Sequence, residues 1–189
     1  SECVKSPGIP DSAPIVRKLR ERGVPVISEI EFAGRYLDGA RTICITGSNG
    51  KTTTTSLVYR ILRDAGCNVA LGGNIGESFA YSVATGRYDW YVLELSSFQL
   101  DGMFRFRADI GVLTNITPDH LYWHMTFEAY AEAKKQVYAN LSKNQGTLVI
   151  DAVCDVTRDC VKEFKNDPKR AFDYIPVGCA AGIDHSMNC

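Results

Sequence analysis

Short apolar runs alternate with stretches of helical periodicity from about residue 41 onward. Five runs are predicted as strands, at residues 42–46, 68–71, 88–95, 108–113 and 147–150. Helices fit between or after them, one ending at Asp64 and others at residues 77–85, 126–141 and 155–164. Continuous apolar strands that alternate with helices are typical of a parallel sheet covered on both faces. We therefore predict an α/β fold with a mostly parallel sheet and helices on both faces.

The first forty residues follow another pattern. A proline-glycine loop at residues 5–10 precedes a short amphipathic helix at 11–22 and a short strand at 24–27. Ser28 and Glu31 have the spacing of a capping box, which predicts a helix that runs to Leu37. At the other end the pattern fades after about residue 171, and residues 180–189 are predicted to be weakly ordered.

Composition and charge exclude several classes of protein. The chain is 45% apolar and 23% charged, as in ordinary soluble proteins, and its net charge of −1 gives no broad basic field for nucleic acid or anionic lipid. No apolar run approaches the roughly 20 residues that span a bilayer, and the N-terminus does not have the pattern of a signal peptide. The seven cysteines are scattered without a CxxC pair, which favours a reduced, cytoplasmic protein. Any phosphate must therefore be bound locally.

The strongest chemical signal lies between the first predicted strand of the sheet and the helix that follows it. Its sequence is Thr46-Gly47-Ser48-Asn49-Gly50-Lys51-Thr52-Thr53. Glycines let backbone amides turn toward phosphate oxygens, and the helix N-terminus adds the positive end of its dipole. Lys51 is placed to reach the β- and γ-phosphates of ATP, and the Thr52 hydroxyl to ligate Mg²⁺. Ile45 stands where the usual spacing has a glycine, so this P-loop-type motif is a shorter variant.

The alternative is a plain strand-turn-helix junction that contains Gly-Lys-Thr without binding phosphate. Residues 52–55 are all threonine, and each is less favourable than alanine in a helix by a few tenths of a kcal/mol. A helix start that breaks the local propensity is expected where function needs hydroxyl groups. This favours phosphate binding.

Polar groups also follow the other strands. In an open parallel sheet, ligands bind beyond the carboxyl ends of the strands. Glu94 ends an apolar strand, and burying its carboxylate is costly unless it meets a cation. Mg²⁺ is favoured over the alternatives, which are a lysine partner or solvent. His120, beside Asp119 and after another strand end, is a candidate ligand rather than an ordinary loop histidine.

Other candidates have a structural alternative that the residues alone leave open. Ser96 and Ser97 could simply cap a helix. Lys134 and Lys135 follow on a predicted helix, where a solvated face would be their ordinary place. Without further information neither lysine is assigned to the site.

Taken together, these segments resemble the Mur ligases, the ATP-dependent amide-forming enzymes of peptidoglycan precursor synthesis. The shortened loop is similar to the version that this superfamily shares with the folylpolyglutamate synthetases. Three further segments are similar to the branch of the family that adds D-glutamate. They are Ser6-Pro7-Gly8-Ile9-Pro10, Gly72-Gly73-Asn74-Ile75-Gly76 and Leu93-Glu94-Leu95-Ser96-Ser97-Phe98-Gln99-Leu100.

The resemblance implies a fold, a reaction and a set of roles. The fold is that of the Mur ligase central domain, and the substrates are ATP, UDP-muramoyl-alanine and D-glutamate, joined through an acyl phosphate. Lys51 and the loop, residues 47–53, hold the triphosphate, and two Mg²⁺ sites are expected. The resemblance assigns metal binding to four residues: Thr52, Glu94, His120 and a carbamylated Lys134. It assigns the muramoyl-alanine site to three others: Asn74, Ser96 and Gln99.

The resemblance also divides the chain. Residues 1–39 match the last part of a UDP-binding N-terminal domain with its linker, and residues 40–189 match an incomplete ATP-binding central domain without the C-terminal domain. Tyr122 and Trp123 stand where the family usually has an acidic and then a basic residue. We expect a monomer that is inactive alone. A folylpolyglutamate-synthetase-like ligase and a non-catalytic nucleotide-binding module are the alternatives.

Overall fold

A six-stranded parallel sheet forms the centre of the molecule. The computed structural model describes residues 1–118, 124–141, 146–166 and 173–178. Its strands are β1 Cys3–Lys5, β2 Val26–Ser28, β3 Arg41–Thr46, β4 Val69–Gly73, β5 Trp90–Glu94, β6 Ile110–Leu113, β7 Thr147–Asp151 and β8 Asp173–Val177. The main sheet has the order β4-β5-β3-β6-β7-β8, and all of its neighbouring strands are parallel. The predicted parallel sheet is confirmed.

Helices cover both faces of this sheet. They are α1 Pro14–Glu21, α2 Glu29–Ala33, α3 Lys51–Asp64, α4 Phe79–Thr85, α5 Ser97–Leu100, α6 Phe127–Ala139 and α7 Asp155–Asn166. Side chains of β3 alternate between two hydrophobic clusters: Ile43 and Ile45 pack under α3, while Cys44 belongs to the larger cluster that α4 and α6 help to form. The α/β class with helices on both faces is therefore confirmed. No helix in the described ranges is long and apolar enough to cross a membrane.

Residues 1–36, here called the N-terminal unit, contain a separate two-stranded parallel sheet of β1 and β2, while Ile30 and Ala33 of α2 pack into the larger hydrophobic cluster of the main sheet. Ser28 caps α2 by accepting a hydrogen bond from the Glu31 amide at 3.2 Å. The Glu31 carboxylate does not complete the predicted capping box, because it turns to the segment before β6. The helix predicted to reach Leu37 ends as α2 at Ala33 and continues as a 3-10 turn over Gly34–Tyr36.

Two strands were not predicted from the sequence. β1 has three residues, which is too short for a periodic signal. β8 lies at the edge of the main sheet, where alternate residues are exposed. Pro176 would argue against a central strand, but an edge strand tolerates proline because one side of its backbone needs no partner.

Candidate functional site

The phosphate loop leaves the sheet at the point where the strand order reverses. β3 lies between β5 and β6, and the loop leads from the end of β3 directly into α3. In the parallel register Ile45 is opposite Glu94 on β5, and Thr46 is opposite Leu113 on β6. The end of β5 and the segment after β6 therefore flank the loop. This switch point is where open α/β sheets bind ligands.

Two glycines give the loop its shape. Gly47 has φ of 149°, and a Cβ there would lie 1.9 Å from Thr114 Oγ1. Gly50, at the N-cap of α3, has the left-handed φ of 78°. A side chain would clash at the first position and strain the backbone at the second, so the sequence folds this way only with glycine at both.

The segment after β6 holds the middle of the loop. Ser48 N donates to Asn115 O, and Asn49 N donates to Asn115 Oδ1, both at 2.9 Å. Thr114 Oγ1 and Asn115 Nδ2 donate back to Asn49 O at 2.7 and 3.0 Å. The amides of Ser48 and Asn49 are thus already bonded within the protein. The donors that helix geometry leaves without an intrahelical acceptor are those of the first turn of α3, which begins at Lys51.

Lys51 and its neighbours lie at the mouth of the loop. Lys51 Nζ donates to Ser48 O at 2.8 Å, so the ammonium group folds over the loop. Thr52 and Thr53 are exposed, whereas Thr55 is buried and donates to Lys51 O at 2.8 Å. The structure therefore presents one cation and two hydroxyl groups at the start of α3.

Glu94 is the most unusual polar group of the site. It is only 1% exposed, and Asn74 Nδ2 donates to its Oε1 at 2.8 Å. Its Oε2 is buried and has no hydrogen-bond partner among the residues that the structure describes. A buried carboxylate oxygen without a partner is costly. Carboxylate oxygen is a preferred ligand of Mg²⁺, so this residue fits the predicted metal role.

Lys134 extends from α6 toward the end of β3. It is 1% exposed, its Nζ donates to Thr46 Oγ1 at 3.3 Å, and it lies 5.0 Å from the centre of the Tyr130 ring. Lys135 instead pairs with Glu132 at 2.7 Å and Glu163 at 3.7 Å. The interpretation as an ordinary helix face therefore suits Lys135 and not Lys134.

Ser96 and Gln99 form the capping box of α5. Gln99 Oε1 accepts from Ser96 N at 3.0 Å and from Ser96 Oγ at 3.1 Å, and Ser96 Oγ accepts from Gln99 N at 3.3 Å. Gln99 is 4% exposed. The structure thus answers the open question on Ser96 with a capping role, while the substrate role of both residues stays a prediction. Asn74 is exposed at the end of β4, beside Glu94.

His120 lies outside the described residues, as do Tyr122 and Trp123, so its predicted metal role stays a prediction. The described histidine nearest to it in sequence is His124, which the sequence interpretation missed. His124 Nε2 is hydrogen-bonded to Ser97 Oγ at 2.9 Å, and its ring stacks on Phe98. The sequence feature that could have drawn attention to His124 is its position four residues after His120.

Comparison with known proteins agrees with this geometry. The sequence profile of the Mur ligase middle domain matches residues 45–180. The UDP-N-acetylmuramoylalanine--D-glutamate ligase of Bacteroides fragilis is 63% identical over 141 residues, which are 74% of this chain and 31% of that protein. The ligase of the same name from Cytophaga hutchinsonii is 49% identical over 177 residues, 92% of this chain and 38% of its own.

Among solved structures, the MurF ligase from Thermotoga maritima in complex with ADP has a TM-score of 0.57 at 19% identity, with 86% of this chain and 43% of that chain covered. This likeness shows the fold alone. The chain spans about a third of the length of the two D-glutamate ligases. Because the middle-domain profile matches well over half of the residues, the chain belongs to the Mur ligase family.

Proposed function

We propose that this chain is the ATP-binding part of a ligase that adds D-glutamate to UDP-N-acetylmuramoyl-L-alanine in peptidoglycan synthesis. The two relatives named for this reaction support the substrates, and the ADP complex of the MurF ligase supports the nucleotide. The observation that carries the proposal is the buried Oε2 of Glu94, which has no hydrogen-bond partner among the described residues and lies at the sheet edge from which the glycine loop emerges. A cytoplasmic monomer is part of the same proposal.

The reaction proposed begins with transfer of the γ-phosphoryl group of ATP to the substrate carboxylate, which gives an acyl phosphate. The amine of D-glutamate then attacks the acyl carbon, phosphate leaves, and an amide remains. Lys51 and the amides at the start of α3 offset the negative charge of the phosphates. Thr52 and Glu94 would supply oxygen ligands for one Mg²⁺, whose charge would offset that of the phosphate oxygens.

Further roles follow from the resemblance and remain proposals. His120 and a carbamylated Lys134 would complete a second Mg²⁺ site, and Asn74, Ser96 and Gln99 would line the muramoyl-alanine site. Ser96 and Gln99 can reach a substrate only if their capping bonds leave donors available, such as the Gln99 amide nitrogen. A non-catalytic nucleotide-binding module would need neither the buried Glu94 nor the inward Lys134, and the two relatives' names do not favour a folylpolyglutamate-synthetase-like ligase.

The loop assignment is tested by calorimetric titration of this chain with a non-hydrolysable ATP analogue and Mg²⁺. We expect Lys51→Ala to bind about 10- to 100-fold more weakly, because a hydrogen bond from a charged donor contributes about 1.5–3 kcal/mol. Lys135→Ala removes an equal charge outside the site and is the matched control, with unchanged affinity expected. If the wild type and Lys51→Ala bound the analogue with equal affinity, the loop would not be the nucleotide-binding element.

Carbamylation of Lys134 is tested separately. The Lys134 ammonium group would first lose a proton, and the neutral amine would then attack the carbon of CO₂ and lose a second proton. The product is an anionic carbamate, whose oxygens suit Mg²⁺. Crystals grown in bicarbonate with Mg²⁺ are expected to show the added carboxyl group on Lys134 and none on Lys135. An unmodified Lys134 amine that points away from Glu94 would end this part of the proposal.

A further inference from the structure

Tyr130 lies between the phosphate loop, Lys134 and the residues that pack on α5. It is fully buried on α6, at 0% exposure. Its hydroxyl lies 2.9 Å from Ser48 Oγ in the phosphate loop, and the centre of its ring lies 5.0 Å from Lys134 Nζ. Tyr130 thus contacts two of the predicted site residues.

The hydrogen bonds of Ser48 fix the direction of the bond to Tyr130. A serine hydroxyl has one donor proton and two acceptor lone pairs. Ser48 Oγ donates to Thr117 O at 2.9 Å and accepts from Thr117 N at 2.9 Å. The remaining lone pair accepts from the Tyr130 hydroxyl. The Ser48 side chain, which is 6% exposed, is therefore fully used inside the protein, and the tyrosine fills its last position.

The ring of Tyr130 is itself held in place. The edge of the His124 ring meets it at 5.4 Å between centroids and 60° between planes. His124 stacks on Phe98, with 5.7 Å between centroids and 6° between planes, and is hydrogen-bonded to Ser97. Aromatic pairs of this geometry contribute beyond their buried area. Tyr130 is thus connected through His124 to α5, the helix after the Glu94 strand.

We propose that Tyr130 is a positioning residue that holds the phosphate loop in its anion-binding shape and sets it against Lys134 and α5. The proposal rests on the nucleotide role of the loop. Through Ser48, the hydroxyl fixes the loop residue whose amide and side chain both bond to the segment after β6, at Asn115 and Thr117. Tyr130 acts through Ser48 and is not placed to touch the nucleotide.

Tyr130→Phe is the most specific test, because it keeps the ring contacts and removes only the hydroxyl. It leaves one acceptor position of Ser48 unfilled inside the protein, so the loop loses a buried hydrogen bond. We expect Mg²⁺-dependent affinity for the ATP analogue to fall about 3- to 10-fold. In the nucleotide-free protein, hydrogen exchange at the amides of Ser48 and Asn49 should become faster by a similar factor.

Tyr138→Phe is the matched control. Tyr138 lies two turns further along α6, is 1% exposed and faces the Cys160 thiol on α7. The Tyr138→Phe change removes a buried hydroxyl remote from the loop. Affinity for the ATP analogue and hydrogen exchange at the loop amides should therefore both stay at the wild-type values. The melting temperatures of both variants separate a general loss of stability from an effect on the loop. In a double-mutant cycle, adding Tyr130→Phe to Ser48→Ala should weaken binding no further.

The outcomes separate this inference from the proposed function. If the wild type binds the analogue and Tyr130→Phe binds equally well with unchanged loop exchange, Tyr130 has no positioning role. If the wild type binds no nucleotide, the proposed function fails. In that case, hydrogen exchange at the loop amides still tests the inference: faster exchange in Tyr130→Phe than in the wild type would show that the tyrosine holds the loop, and equal exchange would show that it does not.

Discussion

Glu31 and Glu94 are two glutamates buried to the same degree, at 2% and 1% exposure, in different parts of the molecule. Glu31 lies on α2 against the segment that leads into β6, and Glu94 lies at the far end of β5 beside the phosphate loop. Their hydrogen bonds differ completely. Burial alone therefore does not distinguish a structural carboxylate from one that is proposed to bind a metal ion.

The carboxylate of Glu31 is satisfied. Its Oε2 accepts from three consecutive amides, those of residues 104–106, at 2.9, 2.9 and 2.8 Å, and Arg35 lies 3.7 Å from Oε1. Burial by itself would raise the pKa of Glu31, but the hydrogen bonds from these amides and the Arg35 charge lower it below its ordinary value. Glu31 thus fastens the N-terminal unit to the main sheet.

Glu94 has a single side-chain partner, Asn74, on one oxygen, and its other oxygen has none in the described part of the chain. A cavity of about 750 Å³ opens beside Glu31, with Arg35 and Asp109 in its lining. Cavity size would therefore draw attention to Glu31, whose carboxylate is already hydrogen-bonded, rather than to Glu94. The Glu94 oxygen that has no partner among the described residues is what supports the proposed ligand role, because a folded protein rarely leaves such an atom without a reason.

The largest expected effect on stability comes from Glu31→Ala. Removal of the carboxylate leaves three amides without their acceptor, and we expect the free energy of unfolding to fall by about 2–4 kcal/mol. Urea denaturation followed by tryptophan fluorescence measures this. Glu132→Ala removes an exposed glutamate from α6 and should change the free energy of unfolding by less than about 0.5 kcal/mol. Equal, small losses in both variants would show that the Glu31 hydrogen bonds do not fasten the N-terminal unit.

The residues near the loop could be predicted because their signals are local. The strand before the loop, its two obligatory glycines and the helix after it are consecutive in sequence, and all were predicted correctly. Glu94 was also identified correctly as a buried strand-end carboxylate, because the apolar run before it already indicates a buried strand.

Long-range partners could not be predicted in the same way. The spacing of Ser28 and Glu31 indicated a local capping box, yet Glu31 bonds to amides more than 70 residues away in sequence. The choice between Lys134 and Lys135 depends on how α6 is rotated against the sheet, which tertiary packing decides. The contact of Tyr130 with Ser48, 82 residues apart, also exists only in the folded chain.

Among the changes at the two buried glutamates, Glu94→Gln is expected to have the smallest effect on stability. The amide oxygen can still accept from Asn74, and the change removes a buried negative charge that lacks a full set of partners. Without nucleotide, we expect the free energy of unfolding to stay within about 1 kcal/mol of the wild type or to rise slightly. Mg²⁺-dependent affinity for the ATP analogue should nevertheless fall at least about 10-fold, because a neutral amide is a poorer ligand for Mg²⁺ than a carboxylate.

Glu31→Gln is the isosteric control for this experiment. It should cost more stability than Glu94→Gln, because the Glu31 carboxylate accepts three amide hydrogen bonds and faces Arg35, whereas Glu94 accepts one side-chain hydrogen bond. It should leave nucleotide affinity unchanged wherever the variant is folded. If Glu94→Gln destabilised the nucleotide-free protein as much as Glu31→Gln, Glu94 would be a structural carboxylate like Glu31. Its open oxygen would then no longer indicate a metal ligand.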